Sequence, residues 1–282
     1  MKSKLLIFGY GYVAKHLAAK LSKEDFLVLG TSRNSDQIHT LNSNIEIFNY
    51  NAKEMFSVIS EVDSILISIP PNDKEVDQVL SDYKQLFLQA ENIKWIGYLS
   101  STGVYGDHDG RWVSEDSELL ASGVTGNRRI LAENIWMDLY DDYNLPIHIF
   151  RLSGIYGPKK NCITKFRKGK DFTIVKNNHY FSRIHVEDIC RAISLSINNP
   201  TPGEIYNVSD SHPAPLHEVE KYGGSLISHK LREVPFEQCE LSPLAKEFFI
   251  NNRKVSSQKI CKILRLEWKF PSYKEGLMSE LL

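Results

Sequence analysis

Short apolar runs alternate along this chain with segments whose apolar residues recur at helical spacing. Leu5-Leu6-Ile7-Phe8 is a continuous run of the kind a buried parallel strand needs, and Val13, Leu17, Ala18 and Leu21 then fall on one face of a helix. Further runs rich in apolar residues predict strands at 26–30, 45–48, 63–69, 95–99 and 147–152. Pro70-Pro71 stops the fourth of these six strands. Helices are expected at 73–91 and 126–143, the second burying Ile130, Ala132, Ile135, Trp136, Leu139 and Tyr143. This alternation of strands and helices predicts an α/β fold, a doubly wound parallel sheet. Beyond 152 the pattern is mixed: a lysine-rich loop at 159–170, a returning segment at 183–209 and a proline-punctuated C-terminal part.

Composition narrows the class. The 282 residues, 42% hydrophobic and 24% charged, suffice for one large domain or a domain with a smaller lobe. Thirty-four basic against thirty-five acidic residues leave a net charge of -1. There is thus no global field for nucleic acid or an anionic membrane, and any anion selectivity must be local. The four cysteines, Cys162, Cys190, Cys239 and Cys261, are scattered without a CxxC pair or a nearby histidine cluster. That spacing suits reduced thiols and offers no zinc site. Lys2 and Lys4 ahead of an apolar stretch imitate a secretory signal, but glycines interrupt the stretch and Lys15 and His16 follow it. The longest apolar run elsewhere, 65–71, is far short of the ~20 residues of a membrane helix. A soluble, cytoplasmic protein is expected, with no nucleic-acid or membrane partner.

The first strand opens into Gly9-Tyr10-Gly11-Tyr12-Val13-Ala14, in the order strand, glycine turn, helix. Gly9 can take a tight turn, Gly11 lets backbone approach a pyrophosphate, and the small Ala14 lets the helix pack on the strand. The N–H groups at the helix start, with Tyr12 and Val13 beside them, are left facing the anion. The second strand ends in Thr31-Ser32-Arg33, where a dinucleotide fold selects its cofactor. An acidic residue there bonds the ribose hydroxyls of NAD, whereas hydroxyl and arginine side chains accommodate the 2'-phosphate of NADP. With no carboxylate at the strand end, NADP is the cofactor expected, and NAD stays open. Charge-assisted bonds of ~1.5–3 kcal/mol each would give Ser32 and Arg33 a roughly ten- to hundredfold preference. Pro70-Pro71 either simply terminates the fourth strand or also forms a stiff wall near the cofactor, and Ile69 and Pro70 at that strand end join the cofactor-binding candidates.

Five segments in order carry a family resemblance. They are the glycine turn, Leu99-Ser100-Ser101-Thr102-Gly103-Val104-Tyr105-Gly106, Arg151-Leu152-Ser153-Gly154-Ile155-Tyr156-Gly157-Pro158, Arg183-Ile184-His185-Val186-Glu187-Asp188-Ile189 and Ile205-Tyr206-Asn207-Val208-Ser209-Asp210. Together they resemble the extended short-chain dehydrogenase/reductases, and more narrowly the atypical branch of the NAD-dependent epimerase/dehydratase family. The resemblance implies a Rossmann lobe at 1–158 with 183–210, and a small substrate lobe at 159–182 with 211–282. It adds Ser100 and Leu152 to the cofactor contacts.

The family also implies a catalytic set, and this chain departs from it. Ser101 matches the hydroxyl on the fifth strand. Counting back from Glu133 puts Arg129 where the family's lysine belongs and Thr125 where its tyrosine belongs. A free tyrosine titrates near pH ~10, whereas a threonine alcohol is far less acidic. An arginine can clamp an oxygen but cannot shuttle protons. Thr102 and Gly103 stand where the family's 4,6-dehydratases carry an Asp-Glu pair, which argues against sugar dehydration. Tyr105 is the nearest displaced acid/base candidate; Tyr156, Asp107, His108 and His185 are others. For the tyrosines packing is the simpler role, for Asp107 and His108 a solvated loop, and for His185 a structural place before a helix.

The sugar-nucleotide clamp is altered too: Phe181 occupies the family's arginine position, with Arg183 two residues nearer the histidine. Lys159, Lys160, Lys165, Arg167, Lys168 and Lys170 are either a solvated face or the site of an anionic substrate. The functional expectation is an NADP(H)-binding oxidoreductase or epimerase for a small carbonyl, sugar or nucleotide-sugar substrate. Its alternative is an inactive NADP(H)-binding sensor or scaffold. The helices at 73–91 and 126–143 resemble those that pair in the family's dimers, which leaves a homodimer open.

Overall fold

The computed structural model describes residues 2–35, 40, 42–51, 53, 55–72 and 76–281. Its first half runs β1 (Ser3–Phe8), α1 (Tyr12–Leu21), β2 (Phe26–Ser32), β3 (Ile45–Asn49), α2 (Met55–Glu61), β4 (Ser64–Ile67), α3 (Gln78–Gln89) and β5 (Trp95–Ser101). A 3-10 turn (Thr102–Tyr105) leads to β6 (Trp112–Val113), α4 (Val124–Tyr143), β7 (Ile147–Leu152), β8 (Gly154–Tyr156), α5 (Cys162–Arg167) and β9 (Phe172–Val175). Then come β10 (Arg183–His185), α6 (Val186–Asn198), β11 (Ile205–Val208), α7 (Leu216–Ser225) and β12 (Arg232–Pro235). The chain closes with α8 (Pro243–Ile250), β13 (Lys254–Val255), α9 (Gln258–Leu264) and α10 (Tyr273–Ser279). No helix among the described residues is long and apolar enough to cross a membrane.

The chain forms two compact units: Met1–Ser101 with Asn127–Arg151 and Cys190–Tyr206, and Thr102–Gly126 with Leu152–Ile189 and Asn207–Leu282. The second thus takes in more of the chain than 159–182 and 211–282.

The first unit is built on a seven-stranded parallel sheet ordered β11-β7-β5-β4-β1-β2-β3. The order reverses between β1 and β4, which pair in parallel from Leu5 opposite Ser64 to Phe8 opposite Ile67. Such a reversal opens a crevice at the carboxyl ends of the strands. Every residue of β4 and β7 is buried, as strands covered on both faces require. Phe8, Phe87, Tyr98 and Trp136 anchor the core on one side of the sheet.

Element ends depart from the sequence pattern for local reasons. β4 stops at Ile67: Ser68 N still donates to the Phe8 carbonyl at 2.9 Å, and Pro70, which has no N–H to donate, follows two residues on. α3 starts at Gln78, not 73: Asp77 caps it by accepting from Leu80 N at 3.0 Å, and its other oxygen accepts from Trp136 Nε1 at 2.9 Å. Residues 73–75 lie outside the described residues. α4 begins at Val124, two residues before the predicted start.

The second unit has no large sheet. β8 pairs with β10, β9 with β12 and β6 with β13, each in parallel. Its small core gathers Tyr156, Ile163, Ala214, Val219, Tyr273 and Leu277. Close packing admits no side chain at Gly276, where an added Cβ would lie 2.1 Å from the Tyr156 hydroxyl. Asp188 is wholly buried, its carboxylate accepting from Lys269 N at 2.7 Å and Phe270 N at 2.9 Å. These bonds tie the start of α6 to the C-terminal segment.

Candidate functional site

A cavity of about 660 Å³ opens at the carboxyl ends of β1, β2, β3 and β4 in the first unit. The glycine turn forms one wall. Gly9 takes φ +94° and lies so close to Ile69 that an added Cβ would come within 2.8 Å of its Cγ1. Gly11 caps α1, and an added Cβ there would meet nothing within 4 Å, so its backbone borders open space. Thr31 holds the turn in shape: its hydroxyl accepts from Gly9 N at 3.1 Å and its carbonyl from Tyr10 N at 2.8 Å. α1 leaves its first N–H groups without partners within the helix, as any helix does. An open glycine backbone at that end is the cradle a pyrophosphate fits.

Of the residues expected at the cofactor, Gly9, Gly11, Thr31, Ser32, Arg33, Ile69 and Pro70 all line this cavity. Arg33 is exposed, and the Ser32 hydroxyl accepts from Asn34 N at 3.2 Å, which shapes the turn beyond β2. Val13 and Ala14 are buried in the helix–sheet contact and do not line the cavity, so backbone N–H is what they can offer. Tyr12 packs edge-on to His16 instead. Ser100 is no free contact: it is buried, and its hydroxyl donates to Glu133 Oε1 at 2.5 Å. Leu152 is buried at the end of β7 and likewise lies outside the cavity lining.

The structure adds residues that sequence reasoning missed. Tyr50 and Asn51 follow β3, Asn72 follows the proline pair, and Tyr10 fills the space over Gly30, where a Cβ would come within 2.7 Å of its ring. Burial pushes the Tyr10 phenol pKa up. The signal was available: the strand-end rule applied to the other strands points equally to the end of β3.

The expected catalytic residues are placed as follows. Ser101 is the half-buried last residue of β5. Arg129, also half-buried, donates from Nη1 to the Leu99 carbonyl at 3.1 Å, which brings its guanidinium to the end of the same strand. Thr125 is exposed in the first turn of α4. Tyr105 belongs to the second unit, fully buried, and its hydroxyl donates to Asn207 Oδ1 at 2.7 Å. That bond and its burial fit the packing role. His108 corrects the loop expectation in the other direction, being buried against the Glu118 carbonyl. Asp107 is exposed. His185 is buried, its Nδ1 accepting from Glu187 N at 3.2 Å and its ring 4.2 Å from Phe270, so it shapes the helix start. Tyr156 is buried too, and its hydroxyl donates to the Ser272 carbonyl at 3.3 Å.

The second unit has a cavity of its own, about 520 Å³. Lys159, Lys160, Lys165 and Lys168 line it, so part of the basic run faces a concave surface. Deeper in the lining stand Arg183 on β10 and Glu220 on α7. Arg183 donates from Nη1 to the carbonyls of Phe181 at 2.8 Å and Ala214 at 2.9 Å. Desolvation lowers its pKa from the ordinary value. Phe181 also lines this cavity.

The profile of the NAD dependent epimerase/dehydratase family matches residues 86–209. A conserved protein of unknown function from Silicibacter pomeroyi DSS is 37% identical, with 99% of this chain and 98% of that chain covered and a TM-score of 0.91. This chain carries an epimerase/dehydratase family domain. The protein YeeZ of Escherichia coli (strain K12) is 29% identical over 229 residues, 75% of this chain and 79% of YeeZ. The dTDP-glucose 4,6-dehydratase of Bacillus anthracis str. Ames, solved with NAD, shares the fold at a TM-score of 0.81 and 19% identity, covering 99% of this chain and 95% of that one. The epimerase/dehydratase profile begins after the glycine turn.

Proposed function

We propose that the protein binds NADP(H) in the first unit and acts on a small carbonyl or sugar substrate as an oxidoreductase or epimerase. One observation carries the cofactor choice: Ser32 and Arg33 line the 660 Å³ cavity, and no carboxylate does so among the described residues. The turn at Gly9 and Gly11 would take the pyrophosphate, and Ser32 and Arg33 the 2'-phosphate. Bound there, the nicotinamide cofactor supplies hydride exchange. The chain's own contribution is to orient and polarise. Ser101 offers a hydroxyl at the strand end, and Arg129, held by the Leu99 carbonyl, offers fixed positive charge for a substrate or ribose oxygen.

Titration of the full chain with NADPH and NADH tests the cofactor. Tighter binding of NADPH supports the reading, and failure of both to bind removes it. NADPH oxidation against a panel of carbonyl compounds tests turnover.

A second reading has a specific observation behind it. Thr125 stands where the family has its tyrosine, and the Tyr105 hydroxyl is committed to Asn207, so neither supplies a ready proton shuttle. A cofactor-binding sensor without turnover fits these facts. Bound NADPH that no substrate oxidises, with Ser101→Ala leaving every phenotype intact, selects that reading over the enzyme.

A further inference from the structure

The cavity of the second unit holds one buried-side cation, Arg183, that no carboxylate among the described residues pairs with. Its two side-chain bonds go to neutral backbone carbonyls, which fix the guanidinium without neutralising it. Asp210 is the carboxyl whose charge acts most on Arg183, but it is wholly buried, and that burial pushes its pKa up to about 8. Near neutral pH it is therefore largely protonated and a poor counter-ion. A cation enclosed by protein without an anion is costly, and an anion arriving from solution relieves that cost. The lysines at 159, 160, 165 and 168 line the same cavity and extend the positive potential outward.

Glu220 supplies the opposite requirement. It is 2% exposed and lines the cavity. Oε1 is paired to Lys170 Nζ at 2.5 Å, whereas Oε2 is buried without a hydrogen-bond partner. A buried acceptor in that state calls for a donor. Lys170 already neutralises the carboxylate and the surroundings are basic, so a hydroxyl suits the position better than a second ammonium. Phe181 and Tyr273 give the cavity apolar flanks on which the C–H face of a sugar ring can lie. A volume of about 520 Å³ falls within the range of small-molecule sites.

We propose that this cavity is a site for a phosphorylated sugar or polyol, its phosphate on Arg183 and the lysine rim and a hydroxyl donated to Glu220 Oε2. Only the term substrate for this ligand rests on the function proposed above; the binding site stands within the second unit alone.

Calorimetric titration of the full chain tests it with glucose 6-phosphate, glucose 1-phosphate and ribose 5-phosphate as probes. Glucose, inorganic phosphate and UDP-glucose are the comparison ligands. At least one sugar phosphate should bind tenfold or more tightly than either glucose or phosphate. Arg183→Gln and Glu220→Gln should each weaken it at least tenfold. Because both positions are enclosed, the double variant Lys160→Ala/Lys165→Ala, at exposed residues, should weaken the same ligand several-fold while the circular dichroism spectrum stays unchanged. No binding of any sugar phosphate at millimolar concentration overturns the proposal. So does binding unchanged in the folded variants, and UDP-glucose binding alone replaces the class by nucleotide-linked sugars. NADPH titrated separately on the same preparation keeps the two questions apart, since its failure to bind removes the function proposed for the first unit and leaves the sugar-phosphate result standing.

Discussion

Glu133 and Arg151 are buried as a pair, with Arg151 Nη2 2.7 Å from Glu133 Oε2. The Arg151 Nε also reaches the same carboxylate at 3.1 Å, and Ser100 donates to its other oxygen at 2.5 Å. The group lashes α4 to the ends of β5 and β7, the strand ends from which Ser101 and Leu152 continue the chain. Glu133→Ala strands a guanidinium in the core and should cost about 3–5 kcal/mol of stability. Urea unfolding measures this; a loss under about 1 kcal/mol would show that the pair is not what holds these elements.

Arg33→Ala removes the charge offered to a 2'-phosphate. The loss of a charge-assisted bond, ~1.5–3 kcal/mol, corresponds to roughly ten- to hundredfold weaker NADPH binding. NADH should be affected by no more than about twofold. Fluorescence titration of both cofactors against wild type and variant decides it, and equal losses would sink the 2'-phosphate assignment.

Gly9→Ala forces a side chain onto a backbone at φ +94° and into Ile69. The strained conformation alone costs of order 1–3 kcal/mol. The turn should shift, so dinucleotide affinity should fall together with thermal stability. Unchanged affinity would mean that the ligand does not approach the turn.

Ser101→Ala should lower turnover by about 10²–10³ if its hydroxyl polarises the reacting oxygen. The NADPH dissociation constant should hold steady, because Ser101 does not line the dinucleotide cavity. Steady-state kinetics with any substrate found in the carbonyl panel provides the test.

Acid should weaken the first unit through His148. Burial lowers its pKa to about 4, and its Nε2 accepts from Thr201 N at 2.8 Å, so the folded state requires a neutral ring. The unfolded state binds a proton near pH ~6.5 that the folded state refuses. Stability from this group is therefore present above pH 6.5 and is lost as pH falls toward 4, by up to about 1.4 kcal/mol per pH unit. His179, also lowered to about 4, adds a contribution of the same sign. Asp210, raised to about 8, has the opposite sign: its contribution is present at low pH and lost as pH rises through 8. Unfolding free energies at pH 7, 6 and 5 for wild type and His148→Gln isolate the histidine. The variant should show the shallower slope, and parallel slopes would falsify the assignment.

Legibility followed the range of the interactions involved. β1, α1 and β7 were readable because a buried parallel strand and an amphipathic helix each advertise themselves in a few consecutive residues. The start of α3 was not, because Asp77 caps it while bonded to Trp136, a residue 59 positions away. Thr31 could be named as a site residue, but its bond to Gly9 spans 22 positions and appears only in the fold. Glu220 carried no motif at all. Its importance arises because α7 brings it into the lining of a cavity that Arg183 also lines.

The amino-acid sequence by itself determined the alternation of strands and helices, the glycine turn, the basic end of β2 and the threonine and arginine at 125 and 129. These are matters of residue type and local spacing, which the chain carries wherever it folds. Tertiary structure decided which of the named side chains remain available. Ser100 and Tyr105 are spent on buried partners, Val13 and Ala14 on packing, while Arg183 and Glu220 face a cavity with valences left over. The physical reason is that a polar atom's partners come from whatever distant segment the fold lays beside it, and burial then makes the presence or absence of that partner count.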